Sequence, residues 1–75
     1  MSELIYSFGS VIRHLREVHG MSQEKLAEKA DLNRSYLGEV ERGSAVPSLA
    51  TAAKLARALG ISLSRQMLHC EQRTV

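Results

Sequence analysis

Residues 22–43 read SQEKLAEKADLNRSYLGEVERG. The pattern predicts two short helices joined by a three-residue turn. Ser22 is an N-cap residue, able to accept from backbone N–H groups that the first turn leaves unpaired. It predicts a helix over Gln23–Ala30, with Glu24 near the positive end of the helix dipole. The reciprocal capping box is absent, because Lys25 stands where Glu or Gln would reach back. Asn33 caps the next helix, about Arg34–Arg42, and Gly43 follows where a left-handed stop belongs. At about 100° per residue, Leu37, Val40 and Glu41 fall on one side of this helix. Arg34, Ser35, Gly38, Glu39 and Arg42 fall on the other. Such a helix can pack on a small core and still present a polar face.

Working outward, apolar residues recur at spacings of three and four, and no segment sustains the alternation of a strand. A first helix is predicted over Phe8–His19, with Phe8, Ile12, Leu15 and either Val18 or His19 inward. Leu4, Ile5 and Tyr6 could extend it backward. Ser48, after Pro47, caps a fourth helix over Leu49–Leu59, where Ala52, Leu55, Ala56 and Leu59 make a narrow stripe. Ser62 starts a fifth, Leu63 to Cys70 or Glu71, and the last few residues should fray. Gly20, Gly43 and Gly60 each follow a helical run as left-handed stops. The expected fold is an all-α bundle of five short helices, one domain over residues 1–75. Its inward set is Phe8, Ile12, Leu15, Leu26, Ala27, Leu32, Leu37, Val40, Leu49, Leu55, Leu59 and Ile61.

The 75 residues fit one domain. A chain this small buries only about 60% of its unfolded surface. With 44% hydrophobic and 24% charged residues it suits a compact fold. The net charge of +2 leans toward a polyanionic partner without identifying one. The single Cys70 cannot form an intramolecular disulfide, which suits a reducing compartment. No apolar run approaches the ~18 residues of a membrane span, and no secretory signal is visible. The expectation is a cytoplasmic protein with no membrane association.

The outward face of the third helix has the chemistry of a DNA-groove reader. Arg34 can contact guanine O6 and N7 together, typically worth about 1–3 kcal/mol of discrimination. Ser35 can donate or accept. Glu39 can accept from cytosine N4, or orient Arg34 or Arg42. Gly38 is unusual, because glycine inside a helix costs about 1 kcal/mol against alanine. Close approach of the backbone to a base edge would explain it, and so would packing. Glu41 faces inward, and a carboxylate there needs a cation; Arg16, one turn after Ile12, is the candidate. Gln23 opens the second helix, whose unpaired N–H groups can hold a phosphate. Its side chain can brace that phosphate or Arg34.

With these residues in view, the segment from Phe8 to Leu68 resembles the Cro/C1-type helix-turn-helix family, also called the xenobiotic response element family. The matching elements are IRHLREVHGMSQEKLAEKA, NRSYLGEVERG and VPSLATAAKLARALGISL. The resemblance implies a lambda-repressor-like five-helix DNA-binding domain and a transcriptional regulator of bacterial or phage type, nucleoid-associated when bound. Carried over by position, Arg34, Ser35 and Glu39 would read bases, and Gly38 joins the base-reading set on the close-approach argument alone. Gln23, Asn33, Tyr36 and Arg42 would contact or position phosphates, and Arg16 and Glu41 match the family's interhelical ion pair; Ser44, just past the third helix, is a further candidate phosphate contact. Two features depart from it. Asp31 stands in the turn where Gly is frequent, and Asp tolerates the left-handed region better than most residues. The loop after the third helix is Ser44-Ala45-Val46 rather than basic, implying a shallower salt dependence. Within the family the chain is similar to the small controller proteins of restriction–modification systems, although short phage Cro-like regulators share its length.

Family members act as twofold dimers on pseudo-palindromic operators, with half-sites about 34 Å apart. With no second domain expected, the dimer surface is assigned to Ile61, Leu63, Met67 and Leu68, which alternatively close the monomer core. Glu24 and Glu28 could touch RNA polymerase in an activator, or be ordinary solvated charge. A second function class is a protein-interaction module, such as the antitoxin of a toxin–antitoxin pair; the absence of an extra extension argues against it. His14, His19, His69 and Cys70 lack zinc-site spacing. No nucleophile elbow or phosphate-cradling loop is present. Neither a metal, a cofactor nor an enzymatic activity is expected.

Overall fold

Each helix begins and ends where local chemistry requires. The computed structural model describes residues 3–74, and all regular elements among them are helical: α1 (Glu3–Val18), α2 (Gln23–Ala30), α3 (Arg34–Arg42), α4 (Leu49–Ala58) and α5 (Leu63–Thr74). Ser22, Ser48 and Ser62 each accept a hydrogen bond from the backbone N–H three residues on. Asn33 Oδ1 accepts from the N–H groups of both Ser35 and Tyr36. Four of the five helices close on a left-handed residue: Gly20, Asp31, Gly43 and Gly60. At Asp31, φ is 57°, so aspartate fills the position that glycine takes elsewhere in the chain.

The core is centred on Ile12, Leu26, Leu37, Val40, Leu55 and Leu59, all 2% exposed or less. Helix α1 packs on α3 and α5, α2 on α3 and α4, and α4 on α5. The α1–α3 crossing is unusually close. A methyl group at Gly9 would collide with the carbonyl oxygens of Val40 and Glu41, the second at 2.6 Å. Gly9 therefore lets two backbones touch at the point where the polar face of α3 must be held in place.

Several expectations need correction. Helix α1 starts at Glu3 rather than Phe8, continuous through Leu4, Ile5 and Tyr6. Its buried stripe runs through Phe8, Gly9, Val11 and Ile12 against α3 and α5, while Val18 (66% exposed) and His19 point outward. Leu49 is 72% exposed rather than inward. It lies in the first turn of α4, at the edge of the Ala52–Leu55–Ala56–Leu59 stripe. Leu59 is the cap of α4 rather than its last helical residue. Helix α5 runs on to Thr74 because no glycine or proline interrupts the helix formers after Cys70; of the expected frayed tail, Val75 lies outside the described residues. Leu15, Leu32 and Ile61 are half-buried against the core. The core-facing residues of α5 include Gln66 and Cys70, both fully buried. The Gln66 amide has no hydrogen-bond partner on either its nitrogen or its oxygen.

Candidate nucleic-acid interface

The turn between α2 and α3 is built from backbone hydrogen bonds. Asp31 N–H donates to Glu28 O at 3.2 Å and Leu32 N–H to Ala27 O at 2.8 Å. Leu32 then packs on the core, and Asn33 starts α3. At the other end, Gly43 N–H donates to Val40 O, while Ser44 N–H and Oγ both donate to Glu39 O. Gly43 has φ 77° and lies under the Tyr6 ring: an added Cβ would sit 2.6 Å from Tyr6 Cδ1. Both ends of α3 are thus secured by the chain's own groups.

The middle of α3 divides as its pattern predicts, with one exception. Leu37 and Val40 are fully buried, and Arg34, Ser35, Glu39 and Arg42 are exposed. Gly38, grouped with the outward residues by its angle, is buried. A Cβ there would meet Arg42 Nη1 at 3.2 Å and Gln23 Oε1 at 3.8 Å. These two side chains cover it. No ion pair joins Glu39 to Arg34 or Arg42 among the described residues.

Glu41 is held from two sides. Arg16 Nε donates to Glu41 Oε2 at 2.8 Å and Arg16 Nη2 to Glu41 Oε1 at 3.1 Å. Gln23 Nε2 donates to Glu41 Oε1 at 3.0 Å. The Gln23 amide is therefore tied to Glu41, not to Arg34. Arg16 Nη1 also donates to Met21 O at 2.9 Å, fastening the α1–α2 connection. The hydrogen bond to Glu41 raises the Arg16 pKa above the usual guanidinium range; partial burial opposes the shift, and the charges of Glu41 and Glu17 reinforce it. Glu41 thus ties all three helices together at one carboxylate.

Of the other expected contacts, Asn33 and Ser44 are exposed, but each uses its side chain as a cap. Tyr36 is half-buried against the core. On α5, Ile61, Leu63 and Met67 pack partly on the core, and Leu68 is 51% exposed. Met67 also borders an apolar groove whose rim includes the exposed Leu4, Val46 and Leu49. Sequence reasoning missed two juxtapositions. Arg13 joins Arg16, Gln23, Glu41 and Arg42 around a polar pocket. His14 and His69, far apart in sequence, share a pocket with Gln72 where α1 meets α5. The three-residue step from Arg13 to Arg16 signals a shared side of α1 for the first; nothing local signals the second.

A short, doubly capped helix set on a second one across a left-handed turn is the architecture of a helix-turn-helix protein. The chain belongs to the helix-turn-helix family, whose pattern matches residues 12–66. It is 44% identical to the control protein C.BamHI of Bacillus amyloliquefaciens over 55 residues, covering 72% of this chain and 68% of that one. It is 46% identical to the immunity repressor of Bacillus phage phi105 over 56 residues, covering 75% of this chain but only 39% of the repressor. Among solved structures it is similar to the restriction–modification controller protein C.AhdI of Aeromonas hydrophila, with TM-score 0.80 and 46% identity over 84% of this chain and 94% of that one. It also resembles the controller C.Esp1396I, solved as a tetramer on its natural 35 base-pair operator, with TM-score 0.90 and 27% identity over 99% and 97% of the two chains. No described helix is long and apolar enough to cross a membrane.

Proposed function

We propose that the protein is a sequence-specific DNA-binding transcriptional regulator, not an enzyme, and acts on restriction–modification genes as a controller protein. The observation that carries this reading is the division of α3. Arg34, Ser35 and Glu39 stand exposed on a helix anchored by Leu37, Val40 and the Arg16–Glu41 pair. In the proposed complex α3 enters the major groove. Arg34, Ser35 and Glu39 face base edges, while Gln23, Asn33, Tyr36, Arg42 and Ser44 contact or position phosphates. Similarity to control proteins over most of the chain supports the controller subtype.

The protein would bind a pseudo-palindromic operator as a homodimer through Ile61, Leu63, Met67 and Leu68, acting in the cytoplasm on the nucleoid. The tetrameric C.Esp1396I–operator complex supports an oligomeric regulator. Glu24 and Glu28, both exposed on α2, are the proposed contacts to RNA polymerase where binding activates a promoter.

Selection of bound sites from random duplexes, followed by footprinting, tests the reading. Arg34→Ala should relax preference at one base position by about 1–3 kcal/mol. Gln23→Ala should weaken binding evenly across sequences. An unchanged preference for operator over random DNA in Arg34→Ala would remove Arg34 from the reading face. A monomer by light scattering at micromolar concentration would remove the α5 dimer.

A further inference from the structure

The pocket where α1, α2 and α3 meet is lined by three guanidiniums, one carboxylate and the Gln23 amide. The carboxylate is already engaged. Glu41 takes two bonds from Arg16 and one from Gln23, and its side chain is only 3% exposed. The remaining charges are Arg13 and Arg42. Arg13 Nε pairs with Glu17 at 3.2 Å, but both side chains are more than half exposed, so solvent screens that pair. Arg42 makes no ion pair among the described residues. The lining therefore carries an excess of two positive charges.

Gly38 determines where one of them lies. Arg42 Nη1 and the Gln23 amide both come within 4 Å of the point a Cβ at position 38 would occupy. The missing side chain lets the Arg42 guanidinium fold back across α3 to the first turn of α2. Backbone N–H groups there have no intrahelical partner. Two guanidiniums beside such a turn make a seat for an oxyanion, and Arg42 connects it to the exposed face of α3.

We infer that this pocket seats one phosphodiester of the DNA backbone between Arg13 and Arg42, and that Gly38 is the positioning residue that lets Arg42 reach it. The inference rests on the DNA-binding reading above. It adds a contact from α1 and replaces base-edge approach as the reason for glycine at position 38. It also supplies, from α1, a basic group of the kind the loop after α3 lacks.

The test measures binding of the full chain to a selected operator duplex and to a random duplex of equal length across a salt series. Arg13→Gln and Arg42→Gln should each weaken both duplexes by the same factor. Each should flatten the dependence of log affinity on log salt by about 0.9 per subunit. Arg57→Gln, the same charge change on the exposed end of α4, should not flatten it. Gly38→Leu should reproduce the Arg42→Gln slope, and combining the two should add little; Gly38→Ala, checked by thermal melting, gives a weaker form of the same effect if leucine impairs folding.

Equal effects of Arg13→Gln and Arg57→Gln would overturn the pocket while leaving the DNA-binding reading intact. A Gly38 variant that changes base preference at unchanged slope would overturn its positioning role. Failure of the unmodified protein to bind any duplex would overturn the DNA-binding reading, and this inference with it.

Discussion

Glu41→Ala is the substitution whose consequence the structure defines best. The Glu41 side chain is 3% exposed and that of Arg16 12%, so water can replace only part of what each charge gains from its partner. Removing the carboxylate leaves the guanidinium half-buried with only Met21 O as acceptor, and the Gln23 amide loses its bond as well. Breaking a buried pair by deleting one member costs about 3–5 kcal/mol. A domain of this size has a total stability of roughly 4–11 kcal/mol, at about 0.05–0.15 kcal/mol per residue. The substitution should therefore remove about a quarter or more of the stability. At about 4–8 °C per kcal/mol, the melting temperature should fall by at least about 12 °C.

Thermal and urea unfolding followed by far-UV circular dichroism would measure it. The double variant Arg16→Met/Glu41→Leu should recover most of the loss, because an apolar pair of similar volume leaves no charge stranded. A Glu41→Ala cost below about 1 kcal/mol, the value of an exposed pair, would refute this reasoning. So would single-variant effects that simply add. Because the folded-state pKa of Arg16 is raised, its contribution is complete below the unfolded guanidinium pKa and disappears only above the folded value. The pair's Arg16 side should therefore contribute no pH dependence between about pH 6 and 9.

Other positions give equally definite expectations. Gly9→Ala should destabilise the fold by about 3 kcal/mol or more, because its methyl meets backbone oxygens that cannot rotate away; a melting temperature near that of the unmodified protein would show that α1 and α3 separate easily. Gln66→Met should stabilise by about 1–3 kcal/mol, by removing a buried amide with no partner at similar volume; a loss of stability in the same melt would mean the amide is satisfied in solution.

Much of the architecture was legible along the chain because its determinants are local. Ser22, Asn33, Ser48 and Ser62 bond to N–H groups two or three residues away, so their caps can be read without knowing what the helices touch. The left-handed stops at Gly20, Asp31, Gly43 and Gly60 follow from single-residue backbone preferences. The 3.6-residue period likewise placed Leu37, Val40 and Glu41 opposite Arg34, Ser35 and Glu39. Where a residue depends on a neighbour from another element, the pattern was insufficient. Leu49 has the chemistry of a core residue and lies in solvent, and Gln66 has that of a surface residue and is buried, because helix placement rather than residue type determines cover.

The sequence by itself determined five helices, the turn between α2 and α3, and which side chains of α3 face outward, because capping, glycine geometry and helical period are short-range. Only the tertiary structure decided that Gly9 brings α1 onto α3, and that Gln23 shares Glu41 with Arg16, the cation the sequence had already indicated. It alone showed that Gly38 lies under Arg42, and that Arg13 faces the same pocket. Those relations join residues up to 32 positions apart in helices whose relative placement is set by packing of the whole core, which no local pattern encodes.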